Sequence, residues 1–384
     1  MAQRAKTLIL SCAFALAAAA AGCSGGGGGG SSAAVPVPVA SSSVAPSPQA
    51  TAKPLSPVKI VATFALPTTG VPSVHPIVAL DGSLWYADND RPTLYRIDSA
   101  GTVTAFLSAS AAAGTQIRSL AAGPDGDIYY TLDSGGASAF EIRKIAPGGT
   151  DTLFAQPALS CVDAIVFDND VLYGTGVVAG GAPGSAGVCH PKDTGSEAGE
   201  LYRFDSAGKL ETSVALPGSG LRPGQPEIGS DGRVWFFAFA SGTGAAQALV
   251  AANARGTAVS FALKVSPLAD RLVRGPYRSL YFPGAGGPLL DKVDTTGLES
   301  TFALQPSGAV VDVTRGSDGG IWFVGLASTG APGTFGRRDP GLPLALYSFP
   351  KIPDAIVTGA DGYYYVFAHA TGSSAEDVSR VSLP

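Results

Sequence analysis

Apolar and polar residues alternate along most of the chain in short runs closed by Gly, Asp-Gly or Pro, and nowhere after the first twenty-odd residues do they settle into a helical period. Alternation of this kind predicts half-buried strands joined by tight turns. One phrase punctuates the pattern seven times. It reads "ALDGSLWYAD" from Ala79, "GPDGDIYYTL" from Gly123, "GSDGRVWFFA" from Gly229, "GSDGGIWFVG" from Gly316 and "GADGYYYVFA" from Gly359, with degenerate copies "FDNDVLYGTG" from Phe167 and "GPYRSLYFPG" from Gly275. Measured at the Asp-Gly position (81, 125, 169, 231, 277, 318, 361), the intervals run from 41 to 46 residues except the third, which is 62.

A second phrase follows in several units, as in "LYRIDSAGTVTAF" from Leu94 and "IRKIAPGGTDTLF" from Ile142. It reads as two further strands around a Gly turn. Each unit therefore predicts four antiparallel strands, which is the size of one propeller blade. The fold class is all-β, a seven-bladed β-propeller over 58–384. The last unit ends after its third strand, and "VKIVATFALP" (58–67) matches a fourth-strand phrase. That N-terminal strand is expected to complete the C-terminal blade and so remove an open sheet edge. The long third interval predicts an insertion in blade three, 174–200, placed to overhang one mouth of the channel.

Trp85, Trp235 and Trp322 share one register of the second strand with Tyr129, Tyr173, Tyr281 and Tyr365. Repetition at one register predicts packing between blades rather than a ligand platform, because every repeat must bury the same face against its neighbour.

The segment ahead of the repeats reads differently. Arg4 and Lys6 precede an apolar run from Leu8 to Ala21, the pattern of a secretion signal (1–22) rather than a spanning helix. "AAGC" at 20–23 resembles the lipobox of bacterial lipoproteins, which implies lipidation of Cys23 and, with Ser24 following it, sorting to the outer membrane. Residues 23–57 are a Gly/Ser- then Pro-rich tether with a reach of about 30 Å as a flexible coil. The expected location is the bacterial cell envelope, with the membrane touched only through the lipid anchor. Of the remaining cysteines, Cys161 and Cys189 form an even pair, and an exported chain favours their bridging. Net charge is −5 with 14% charged residues. The basic residues are scattered, so no nucleic-acid footprint appears. A monomer is expected.

The form "GPDGDIYY" followed by "IRKIAPGGTDTLF" resembles the streptogramin (virginiamycin B) lyase-like propellers over about 58–384. The resemblance implies the same fold. It also implies a central face on which the family's enzymes use a catalytic His, with a further His and Glu residues holding Mg²⁺, to eliminate across an ester linkage of a cyclic peptide. The equivalent slots here hold His75, Arg118, Asp163, Gly224 beside Gln225, Asp270, Val311 beside Asp312, and Asp354. Only the first keeps His.

These slots begin the inner strands and should ring one mouth of the channel, where the ends of the second strands add Asp88 and His369. That mouth is the expected ligand-binding face. Its four carboxylates Asp163, Asp270, Asp312 and Asp354, with Glu227 nearby, would favour a cation. His75, Asp88, Asp354 and His369 are the candidate metal ligands, for Mg²⁺ or Ca²⁺, with His75 or His369 as the candidate base. The function expected is a non-catalytic binding or scaffold module acting through the central face. The alternative is a metal-dependent lyase or hydrolase of the streptogramin-lyase or gluconolactonase-like kind.

Overall fold

Every Asp-Gly phrase makes a hairpin, and the Asp does more than turn the chain. In blade two Asp125 accepts from the Asp127 amide at 3.2 Å, the Tyr129 hydroxyl at 2.8 Å and Lys144 of the third strand at 3.0 Å. Asp361 repeats the pattern with the Tyr363 amide, Tyr365 and Arg380. One carboxylate thus fixes the turn, the second-strand aromatic and the third strand of its blade. The following glycine takes φ near +80°, at Gly82, Gly319 and Gly362 alike, where a β-carbon would be strained. Blade five tests the rule by omission. Tyr277 stands in the Asp position, and the Tyr281 hydroxyl below it is buried without a partner.

The computed structural model describes residues 55–67, 74–88, 92–107, 115–133, 140–156, 160–178, 198–218, 220–240, 245–253, 256–285, 287–304, 308–327, 333–339, 342–373 and 375–383. The leader, Cys23, most of the tether, Cys189 and residues 179–197 of the insertion lie outside them. The propeller is one compact unit, Pro54–Pro384. Its strands form seven antiparallel sheets with the first strand of each repeat innermost. In blade three the second strand runs Val171–Val178 and the third begins at Gly199. Among the described residues no helix is long and apolar enough to cross a membrane.

Among the described residues each of the seven interfaces holds an apolar cluster that joins one blade to the next, and the one between blades two and three holds a second, smaller cluster. Trp85 packs on Leu120 and Tyr130 of blade two, Trp235 on Leu272 and Phe282 of blade five, and Trp322 on Tyr364 and Val366 of blade seven. Tyr365 meets Leu84 and Tyr86 of blade one, across the closure. The shared register of aromatics is interblade packing, as the repeat implies.

Closure follows the expected path and goes further. Lys59–Ala65 pairs antiparallel with Glu376–Ser382 and becomes the outer strand of blade seven. Just before it, Ser56–Pro57 pairs in parallel with Tyr347–Ser348 of blade six. The N-terminal segment therefore ties two blades together.

Candidate functional site

The slots chosen from sequence share a backbone irregularity. Pairing between the inner and second strands skips one or two residues between Val74 and Ile77, Ile117 and Ser119, Val162 and Ala164, Val310 and Asp312, and Pro353 and Ala355. His75, Arg118, Asp163, Val311 and Asp354 are the residues skipped or bulged out. In blade four the inner strand breaks between Pro223 and Glu227, around Gln225, and in blade five it shortens to Val273–Arg274, just after Asp270. A bulge re-aims a side chain that a regular ladder would point into a blade face. Here it is repeated around the ring.

Three side chains meet across the channel. His75 of blade one places Nε2 2.8 Å from Asp312 Oδ2 of blade six. Arg271, entering blade five, donates from Nη1 to Asp312 Oδ1 at 2.8 Å and Oδ2 at 3.0 Å, and also touches His75 Nε2. The Ile356 amide of blade seven donates to Oδ2 at 2.8 Å. Asp312 is thus the acceptor for blades one, five and seven together. Burial penalises its charge, but Arg271, His75 and the amide outweigh that and hold the carboxyl below its ordinary range. Burial and the Arg271 charge push His75 down, against the pull of Asp312 and of the Pro76 carbonyl 2.6 Å from Nδ1.

The remaining slot residues are also engaged. Arg118 donates to Asp133 at 2.9 Å, and Arg222 lies 3.8 Å from Asp163. Asp270 accepts the Gln225 amide at 2.9 Å; burial pushes its carboxyl up to about 7, with Asp163 adding to the rise. Gly224 leaves room for this contact, since a β-carbon there would sit 1.8 Å from Asp270 Oδ1.

The four candidate metal ligands do not come together as one group. His369 Nδ1 pairs with Asp354 Oδ2 at 2.8 Å, while His75 turns instead to Asp312 and Arg271. Among the described residues no three His, Cys, Asp or Glu side chains are placed to hold a metal ion. His75 lies in the register shift between Val74 and Ile77, and its ring meets Asp312 of blade six instead of Asp354 of blade seven.

Sequence reasoning missed Arg271 and Glu376. Glu376 opens the last strand opposite His369, is 4% exposed, and has neither carboxylate oxygen hydrogen-bonded. Burial and the neighbouring Asp354, Asp377 and Asp88 push its carboxyl up to about 8. It keeps its proton at neutral pH. Asp88 therefore shares a neighbourhood with Asp354 and His369, around a carboxyl that sequence gave no reason to notice.

The inner strands enclose a cavity of about 660 Å³ lined by residues of all seven blades. His75, Gln225 and Arg271 lie on its wall, and it runs to the blade-three turn at Asp168 and Asn169. The cavity therefore extends from the side-chain cluster toward the Asp-Gly end of the ring, away from the mouth singled out from sequence. Glu227 is half-buried on its wall; desolvation pushes the carboxyl up to about 7, opposed by Arg271, Arg274 and Arg315.

No protein-family profile matches the chain, and no curated protein matches it. Solved structures do. A streptogramin B lyase superposes with a TM-score of 0.62 at 17% identity, covering 84% of this chain and 97% of the other. The virginiamycin B lyase of Staphylococcus aureus gives 0.62 at 17%, covering 84% and 99%. A chain of a mitotic checkpoint complex gives 0.57 at 12%, covering 90% and 98%. At such identities the likeness is one of fold, and the fold is shared by an enzyme and by a member of a protein assembly.

Proposed function

We propose that this protein is a non-catalytic binding module that takes its ligand or partner at the centre of the propeller. The observation that supports this most is Arg271. A guanidinium cannot be deprotonated in a protein, and here it occupies both the Asp312 carboxylate and the flank of the His75 imidazole. The one slot that keeps the family's His is thus held against an internal Arg271–Asp312 ion pair. A divalent ion there would have to displace a charge built into the chain.

The second reading, a metal-dependent lyase or hydrolase, draws on His369. Asp354 holds one of its ring nitrogens, which is how a carboxylate orients an imidazole for base work. One experiment separates the two. Purified protein dialysed against Mg²⁺ is expected to retain no stoichiometric metal by elemental analysis, and to leave a cyclic ester-linked peptide unopened. Retention of one Mg²⁺ per chain, together with ring opening that is lost in His369→Ala, would establish the enzyme.

The binding module acts, in this reading, at the bacterial cell envelope. Residues 1–22 serve as leader, Cys23 carries lipid, 24–57 act as tether, and a Cys161–Cys189 bridge pins the blade-three insertion. Support comes from the lipobox-like "AAGC" and from Cys161, buried against Phe140 and Val177 at the start of blade three. Cys23→Ser is expected to move the protein from the membrane fraction to the soluble fraction, since the acyl chains would supply the affinity. Unchanged fractionation would dismiss the anchor.

A further inference from the structure

The wall of the central cavity is written by one register position repeated in every blade. It is the inner-strand residue paired with the residue just before the second-strand aromatic, and it ends the strand in every blade but the third, where Asp168 follows. Blades one to four place Val78, Ala122, Phe167 and Ile228 there. Blades five and six place Arg274 and Arg315, and blade seven Thr358. All of them line the cavity, and both arginines are exposed. One side of the opening is therefore hydrocarbon and the other carries two guanidiniums from neighbouring blades.

The charge balance on the wall favours an anion on the arginine side. Arg271, deeper in, is matched by Asp312, which leaves Glu227 as the carboxylate facing Arg274 and Arg315. Asp168 belongs to the opposite side, where it accepts from the Asn169 side-chain Nδ2 at 3.1 Å. One acid is set against two exposed cations, so there is room for one further negative charge.

We propose that the cavity binds a small amphipathic carboxylate, its head on Arg274 and Arg315 and its apolar body against blades one to three. This deepens the binding-module reading and rests on it. Guanidiniums present planar forks that match a carboxylate bidentately. The apolar sector would favour a ligand whose hydrocarbon body it removes from water. The cavity, at about 660 Å³, has the size of a small-molecule site. Phosphate has no apolar body to set against blades one to three, and the arginines disfavour a cationic head.

The test is calorimetric titration of the purified protein with octanoate, octyltrimethylammonium and inorganic phosphate. Octanoate should saturate at one per chain, and the other two should bind at least about tenfold more weakly. The Arg274→Ala, Arg315→Ala double variant should weaken octanoate by about tenfold or more, the usual consequence of losing hydrogen bonds to a charged group. Both positions are exposed, so the melting temperature should not move. Should the double variant fail to fold, Arg274→Gln and Arg315→Gln separately carry the same comparison. No saturable octanoate binding, equal affinity in the variants, or equal binding of octyltrimethylammonium would overturn the proposal. None of these results touches the non-catalytic reading, which stands or falls on Mg²⁺ retention and ester opening.

Discussion

Removing residues 55–66 is expected to lower the melting temperature by more than about 10 °C, or to prevent folding. The segment supplies the outer strand of blade seven and a parallel pair on blade six. Its side chains reach further than its hydrogen bonds. Val58 and Ile60 join the cluster between blades six and seven, and Phe64 the one between seven and one. Phe64 also backs the Gly101 turn of blade one, where a β-carbon would lie 2.3 Å from its ring. A single strand is thus felt in three blades. Phe64→Ala alone should cost about 3 kcal/mol, the low end for a buried Phe because this one is only half-buried. Each kcal/mol is worth about 2 °C in a domain of this size. Thermal denaturation followed by circular dichroism measures both, and a truncated protein melting with the intact one would show that the ring closes without this strand.

Asp312→Ala is expected to cost about 3–5 kcal/mol in urea denaturation, the usual result of stripping one partner from a buried ion pair. The loss would leave Arg271 against His75 with no acceptor between them, and the Ile356 amide unpaired. Arg271→Met alone should cost less, because the carboxylate keeps the imidazole and the amide. The double variant should cost less than the two singles added, since the partners share one network. The pH dependence has a definite sign. The Asp312 carboxyl is held below its ordinary 3.8, so its contribution is complete above that value and fades as pH falls through and below it. His75 is pushed below 6.5, so the unfolded chain takes up its proton first and stability declines as pH drops beneath 6.5. In Asp312→Ala the decline below 3.8 should lose this contribution. Additive costs would mean that the three groups act separately.

What the sequence made legible follows from how often each constraint is repeated. The Asp-Gly turn, the aromatic beside it and the basic residue of the third strand recur because every blade solves the same packing problem. Reading them together yields the blade count, the strand order and the closure. The side-chain cluster at the centre has no such redundancy. His75, Arg271 and Asp312 come from blades one, five and six, with Arg271 196 residues from His75 and 41 from Asp312, and only His75 sits at a bulge, so no shared local pattern announces their meeting. Their strand starts could be located, but not the direction in which each side chain points. Arg271 falls in "LADRLVRG", where the repeat is weakest and the inner strand shortest. Glu376 sits in "SSAEDVSR" and reads as an ordinary turn acid. Arg274 and Arg315 did leave a trace: each precedes the glycine that opens its phrase, as Arg-Gly at 274–275 and 315–316, where the residue before the phrase is Val, Ala, Ile or Thr in the other blades.

The partnership of Lys59–Ala65 with Glu376–Ser382 sets a timetable as well as a sheet. A ribosome that has made the first of these strands must add about 300 more residues before the second exists, which takes roughly 15–60 s at 5–20 residues per second. Through that interval the six complete blades can stack, but the seventh interface has no partner and the early strand offers its backbone to any passing edge. The half-made ring is therefore an open arc with an adhesive end at each tip. Whatever attends this chain at birth has to keep those two ends apart from other chains until they find each other.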